Sequence, residues 1–221
     1  MSEALIQAAD ERIADLLEPV SGGVGEDVSY DEKFDEIRNE TEKMQSLSGG
    51  TVDWGVVAVT AEEILQDRSK DFRVACYLAT CKIRSGLEGT LDGILLITRI
   101  TEKFWDEMYP PLKRMKARAG MLEWMAEQSG SEVRDFKLAA ADGPLVEAID
   151  EASKGLDALL RDKMGDKYPS IRQLRDGIRH LHRTVPKAQP TAPPPPPPPP
   201  APAPGQPAAA PEAGAPPPPP P

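Results

Sequence analysis

The chain has 221 residues, 39% of them hydrophobic and 28% charged, and a formal net charge of −10. An acidic protein repels phosphate backbones and anionic lipid surfaces, so nucleic acid and the membrane surface are disfavoured as principal partners. No stretch approaches the ~20 apolar residues of a membrane span, and the acidic N-terminus Met1-Ser2-Glu3-Ala4, with no apolar run behind it, argues against a secretory signal.

Composition divides the chain. Of its 25 prolines, 20 lie between Pro186 and Pro221, where Lys187 and Glu212 are the only charged residues. Residues 1–185 are enough for one domain with a core of its own. Residues 2–18 predict a helix capped by Ser2, with Ile6, Ala9, Ile13, Leu16 and Leu17 on one stripe. Pro19 and Ser21-Gly22-Gly23-Val24-Gly25 end it. That Gly-rich loop follows no strand and holds no lysine, so it reads as a flexible connector and not as a phosphate cradle. Asp31 caps a second helix with Phe34, Ile37, Thr41 and Met44 inward, stopped by residues 46–50. Asp53 caps a third, with Trp54, Val57, Ala61, Ile64 and Leu65 inward.

The break Asp67-Arg68-Ser69 makes Ser69 the expected cap of a fourth helix, Lys70 to Arg84. Asp71 then sits at the positive end of that helix, and Lys70 or Arg73 is placed to pair with an acid on a neighbour. A long helix from Leu87 to about Met108 carries Leu91, Ile94, Leu95, Thr98, Thr101 and Trp105. Gly93 within it demands a closely packed neighbour. Pro110-Pro111 forces a stop. Residues 113–128 follow, with Met115, Leu122, Trp124 and Met125 inward. Residues 131–142 read either as helix or, from the weak alternation of Val133 to Leu138, as extended chain. Pro144 opens a helix through about Met164, and Pro169 opens a last one with Ile171, Leu174, Ile178 and Leu181. Short loops between amphipathic helices predict an all-α, antiparallel multi-helix bundle.

Residues 186–221, with eight consecutive prolines at 193–200 and six at 216–221, predict a semi-rigid polyproline spacer. A ligand for an SH3-like groove is the alternative, which would make the chain a general adaptor.

Reactive constellations are sparse. His180 and His182 are the only histidines, and two residues apart on a helix they diverge, so no metal site is expected. Cys76 and Cys81 read as reduced core thiols. Ser69-Lys70 invites a nucleophile reading, but adjacent residues at a helix start do not converge, and a cap with ion pairs fits better. No catalytic residue, cofactor or metal is expected, and the chain reads as a non-enzyme.

All three tryptophans, Trp54, Trp105 and Trp124, fall between Val52 and Trp124, which marks this window as the organising core. The ordered elements Gly25-Glu26-Asp27, Tyr30-Asp31 and Phe34, Val52-Asp53-Trp54, Ser69-Lys70-Asp71-Phe72-Arg73 with Tyr77-Leu78, Gly86-Leu87, Trp105-Asp106, Tyr109-Pro110, Arg118 and Leu122-Glu123-Trp124 resemble the ImpA N-terminal domain family, found in the TssA proteins of bacterial type VI secretion systems. Phe72, where leucine is expected, and Gly22-Gly23-Val24, where a proline is frequent, depart from its pattern. The resemblance covers roughly residues 20–126. It implies a cytoplasmic, non-catalytic component that binds baseplate, tube or sheath subunits, aids baseplate recruitment and sheath assembly, and forms homo-oligomers through a C-terminal region following the proline-rich tract. Trp54, Ser69, Lys70, Asp71, Arg73, Tyr77, Trp105, Tyr109, Pro110 and Trp124 are expected to hold the fold and not to contact partners.

Overall fold

A computed structural model describes residues 2–45 and 50–186. The expected loop at 46–49 and the proline-rich tract from 187 onward lie outside the described residues. Among the described residues there are eight α-helices and no strand: α1 (Ser2–Ile13), α2 (Glu32–Glu42), α3 (Trp54–Asp67), α4 (Phe72–Arg84), α5 (Leu87–Phe104), α6 (Met115–Arg134), α7 (Gly143–Met164) and α8 (Arg172–Thr184). The all-α bundle read from the sequence is the fold.

α4 and α5 form the centre. Ten of the thirteen residues of α4 and twelve of the eighteen of α5 are buried, so both are covered nearly all round. They approach closely because Gly93 has no side chain: a Cβ there would lie 2.8 Å from the Ala79 carbonyl oxygen. One layer runs α2, α3, α4, α6, α8 in order of packing. α1 and α7 cover α5 from the other side. α6 and α8 cross where Gly130 faces Gly177, each lacking the Cβ that would strike the other helix's backbone. Two of the buried threonines return their hydroxyl protons to carbonyls of the preceding turn, Thr80 to Cys76 and Thr98 to Ile94, which satisfies those donors inside the core. Two ion pairs tie α1 to α5, Arg12 to Asp92 and Arg99 to Asp10.

Asp31 and Asp53 cap α2 and α3 as expected, accepting from Lys33 N–H and from Gly55 and Val56 N–H. Five expectations are corrected, and the open reading of residues 131–142 is decided. Ser2 is the first residue of α1, and the helix tightens into a 3₁₀ turn over Ala14–Leu17. Met44 lies in a 3₁₀ turn after α2 and is exposed. The cap of α4 is Asp71, not Ser69. α5 stops at Phe104, not Met108, because the carbonyls beyond it turn toward Arg118. Residues 131–134 continue α6, since Val133 still falls on its buried face, and 131–142 holds no strand. The last helix begins at Arg172, not Pro169, because Ser170 adopts a left-handed φ of 71°.

Candidate functional site

The motif segments meet in one place. Between α3 and α4 the chain is extended for only a few residues, and those residues are bonded on both sides. Gly25 bridges Ser69, and Asp71 bridges Tyr109. Lys70 N–H donates to the Val24 carbonyl at 2.7 Å and Glu26 N–H to the Arg68 carbonyl at 3.1 Å. On the other side Tyr109 N–H donates to the Lys70 carbonyl at 3.0 Å and Phe72 N–H to the Tyr109 carbonyl at 2.7 Å. The Gly-rich loop is therefore not merely a connector. Its Gly25 has φ 74°, and a Cβ there would sit 1.9 Å from the Arg68 carbonyl oxygen.

Lys70 is fully buried. Its ammonium donates to the Leu16 and Leu65 carbonyls, at the ends of the Ala14–Leu17 turn and of α3. Helix ends release carbonyls that nothing inside the helix can satisfy, and an ammonium offers three donors. Burial lowers its pKa to about 8, with a further push from the neighbouring Lys103, which donates to the Leu17 carbonyl. The expected pairing of Lys70 with an acid is thus replaced by carbonyls. Asp71, also fully buried, accepts from Arg73 N–H at 2.8 Å and from the Arg73 guanidinium at 2.6 Å. Arg73 reaches on to Ser29 Oγ and lies 4.5 Å above the Phe34 ring. Among the described residues Ser69 Oγ has no hydrogen-bond partner, so Ser69 and Lys70 are not a bonded nucleophile and base.

Trp105 packs edge-on against Phe72, with ring centroids 6.1 Å apart, so phenylalanine fills this core position directly. Arg118 covers its other side at 4.5 Å. Arg118 is fully buried and donates to three carbonyls of one loop: Trp105 at 2.8 Å, Met108 at 2.5 Å and Pro110 at 2.7 Å. Burial brings its pKa down to about 10. Arg118 is the residue that site reasoning passed over. Its signal was present: with Met115, Leu122 and Met125 it lies on the inner stripe of α6, a cation where the period demands a core residue.

Ser69, Lys70, Asp71, Arg73, Trp105, Tyr109 and Pro110 therefore come together. Tyr77 lies further along α4, stacked edge-on with Trp124 at 4.9 Å and with Phe34 at 6.4 Å. Trp54 does not join either group. It is half-buried beneath the Arg84 guanidinium, and it lines a shallow cleft of about 460 Å³ with Ala58, Leu78 and Cys81. Cys76 and Cys81 are both free and buried, and burial raises both thiols, Cys81 to about 12. His182 is exposed on α8 and His180 half-buried. Among the described residues no three of histidine, cysteine, aspartate and glutamate are grouped to hold a metal ion, and no helix is long and apolar enough to cross a membrane.

The interlock and the eight helices around it define an all-α helical domain. The family model described as "ImpA, N-terminal, type VI secretion system" matches residues 17–127, half of the chain, and the chain belongs to that family. The type VI secretion system component TssA1 of Pseudomonas aeruginosa is 32% identical over 96 residues, covering 40% of this chain and 28% of that protein. The chain thus spans less than a third of that relative. In fold it is similar to the solved N-terminal domain, including the conserved ImpA_N region, of the TssA component of the type VI secretion system from Burkholderia cenocepacia. That likeness has a TM-score of 0.67 at 20% identity, over 78% of this chain and 91% of the other.

Proposed function

We propose that this chain is a non-catalytic docking component of a type VI secretion system, working on the cytoplasmic side. It aids baseplate recruitment and the assembly of tail tube and sheath by binding their subunits. The observation that carries this reading is the family match over residues 17–127. It is supported by where the polar side chains of the interlock are directed: Lys70 and Arg118 donate to backbone carbonyls and Asp71 accepts from Arg73, so all three are engaged within the fold. In this reading Ser69, Lys70, Asp71, Arg73, Tyr77, Trp105, Tyr109, Pro110 and Trp124 frame the fold, and partner contacts lie on its outer surface. Residues 1–185 act as one module and residues 186–221 as a stiff spacer to an oligomerising region. A weakly binding module on a spacer gains avidity when many copies are displayed together.

The test is a pull-down with the full chain against purified baseplate, tube and sheath subunits. Specific capture of at least one, weakened by a charge placed on exposed Val59 or Tyr30, is the expected result. Capture of none refutes the proposal.

A further inference from the structure

The two terminal helices of the layer carry opposite charge. Packing runs α2, α3, α4, α6, α8, which puts α2 at one end and α8 at the other. Residues 26–42, which contain α2 and the turn before it, hold eight acidic residues against two basic ones. Glu26, Asp27, Glu32, Asp35, Glu36 and Glu42 there are exposed. α8 has four arginines against one acid, Asp176, plus both histidines. Arg172, Arg179, His182 and Arg183 of this helix are exposed. Arg175 pairs with Asp157 of α7, Arg172 and Arg179 share Asp176, and Arg183 has no ion-pair partner among the described residues, so the exposed face of α8 keeps a positive excess.

The acidic end also presents an aromatic ring. Tyr30 is 97% exposed. It sits in a 3₁₀ turn fixed by Asp27, whose carboxylate accepts from Ser29 N–H, and followed directly by Asp31, the cap of α2. Elsewhere in this chain arginines lie over aromatic rings: Arg73 over Phe34, Arg84 over Trp54, Arg118 over Trp105 and Arg161 over Tyr168. No cation of the described residues covers Tyr30. A ring in an acidic surround, held on a rigid turn, suits a guanidinium arriving from outside.

We infer that the acidic α2 end of one copy docks on the arginine-bearing α8 end of a second copy, head to tail. The two faces differ, so the contact is heterologous and a bound pair leaves one free end of each kind. A single helix face offers well under the ~800 Å² per partner of a standard interface. The association is therefore weak for two free chains and is strengthened when copies are held side by side. The net charge of −10 on each copy opposes it at long range. At about 0.1 M salt the screening length is about 10 Å, so distant charges are largely hidden while the touching ends still attract. This inference stands apart from the docking proposal above, since its test involves this chain alone.

The test is sedimentation equilibrium of the full chain at millimolar concentration, at about 0.1 M and about 1 M salt, where screening lengths are about 10 Å and about 3 Å. At the lower salt the weight-average mass is expected to rise with concentration above the 24.0 kDa of one chain, and to return to it at the higher salt. Two exposed charge-reversal variants decide the faces: one carries Asp35→Lys, Glu36→Lys and Glu42→Lys, the other Arg172→Glu, Arg179→Glu and Arg183→Glu. Circular dichroism confirms that both stay folded. Each alone remains a monomer, and their equimolar mixture associates again, because each acidic end then meets a basic one. A wild type of single-chain mass at both salts overturns the inference. So do reversal variants that associate like the wild type, which would assign the contact to another face, and a mixture that stays monomeric.

Discussion

Lys70→Met isolates the cost of burying an ammonium at the centre of the interlock. The lysine is fully buried, and its pKa of about 8 compares with 10.5 in an unfolded chain. Between those values the unfolded chain holds a proton that the folded chain has released. Stability contributed at this site therefore rises as pH increases from 8 toward 10.5. The full difference corresponds to about 3 kcal/mol, of which about 2 kcal/mol is gained between pH 7 and pH 9.5. The neutral amine keeps two N–H donors, one each for the Leu16 and Leu65 carbonyls, so deprotonation does not cost the bonds. Methionine fills the space with no donor and no titration. Urea unfolding of the wild type and the variant at pH 7, 8.5 and 9.5, under reducing conditions, reads the difference between them. Subtraction removes the titrations of Tyr77, Tyr168 and the two cysteines, which both proteins share. The advantage of the wild type over Lys70→Met is expected to widen by about 2 kcal/mol across that range. A constant difference would mean that folding leaves the Lys70 pKa unchanged, a narrowing one that the site stabilises the charged form, and either would refute the reasoning.

Three further perturbations test the frame. Arg118→Ala strips three carbonyls of their donor and uncovers the Trp105 ring, and should cost about 3–5 kcal/mol, a fall in Tm on the order of 10 °C. Arg118→Lys should recover less than half of this by thermal melting, since an ammonium lacks the planar fork that reaches all three. Asp71→Ala should cost about 2–4 kcal/mol in urea unfolding through the lost cap and the abandoned Arg73, while Ser69→Ala should change stability by under about 0.5 kcal/mol because its hydroxyl bonds nothing. Gly93→Ala should cost about 1–3 kcal/mol by prising α4 from α5, and Gly25→Ala more, since its Cβ would fall inside the Arg68 carbonyl. Equal melting curves for Gly25→Ala and the wild type would contradict the pairing of that loop with the α3–α4 link.

Much of the bundle was legible because its signals are local. Asp31 and Asp53 cap the helices that follow them, and the apolar stripes read for α5 and α8 match their buried faces. Gly93 announced a close neighbour, and one is there. What was not legible depends on segments far apart in sequence. Ser69 and Asp71 are both good caps, two residues apart. Asp71 caps because the backbone of residues 69–71 is already held between residues 24–26 and Tyr109, a pairing that no local rule contains. Lys70 and Arg118 look like surface cations by type. They are buried because helix ends and a loop present carbonyls that need donors, and which carbonyls meet is decided only by the packing. Trp54 lay on the inner stripe of α3, yet its ring is only half-buried, with the guanidinium of Arg84 at the end of α4 lying over it. Residues 131–142 alternate weakly, but Val133 belongs to the helical period that Leu122, Met125 and Ser129 begin, and that period prevails.

The central claim is that the motif segments frame the domain while partners meet its outer surface. Amide hydrogen exchange of the full chain, alone and mixed with purified baseplate, tube or sheath subunits, tests it most directly. Lys70, Phe72 and Tyr109 amides are expected to exchange slowly in the free chain and to stay unchanged on mixing, with new protection appearing on exposed elements. Fast exchange at those three amides that slows only when a subunit is added would place the docking site in the motifs themselves and contradict the account.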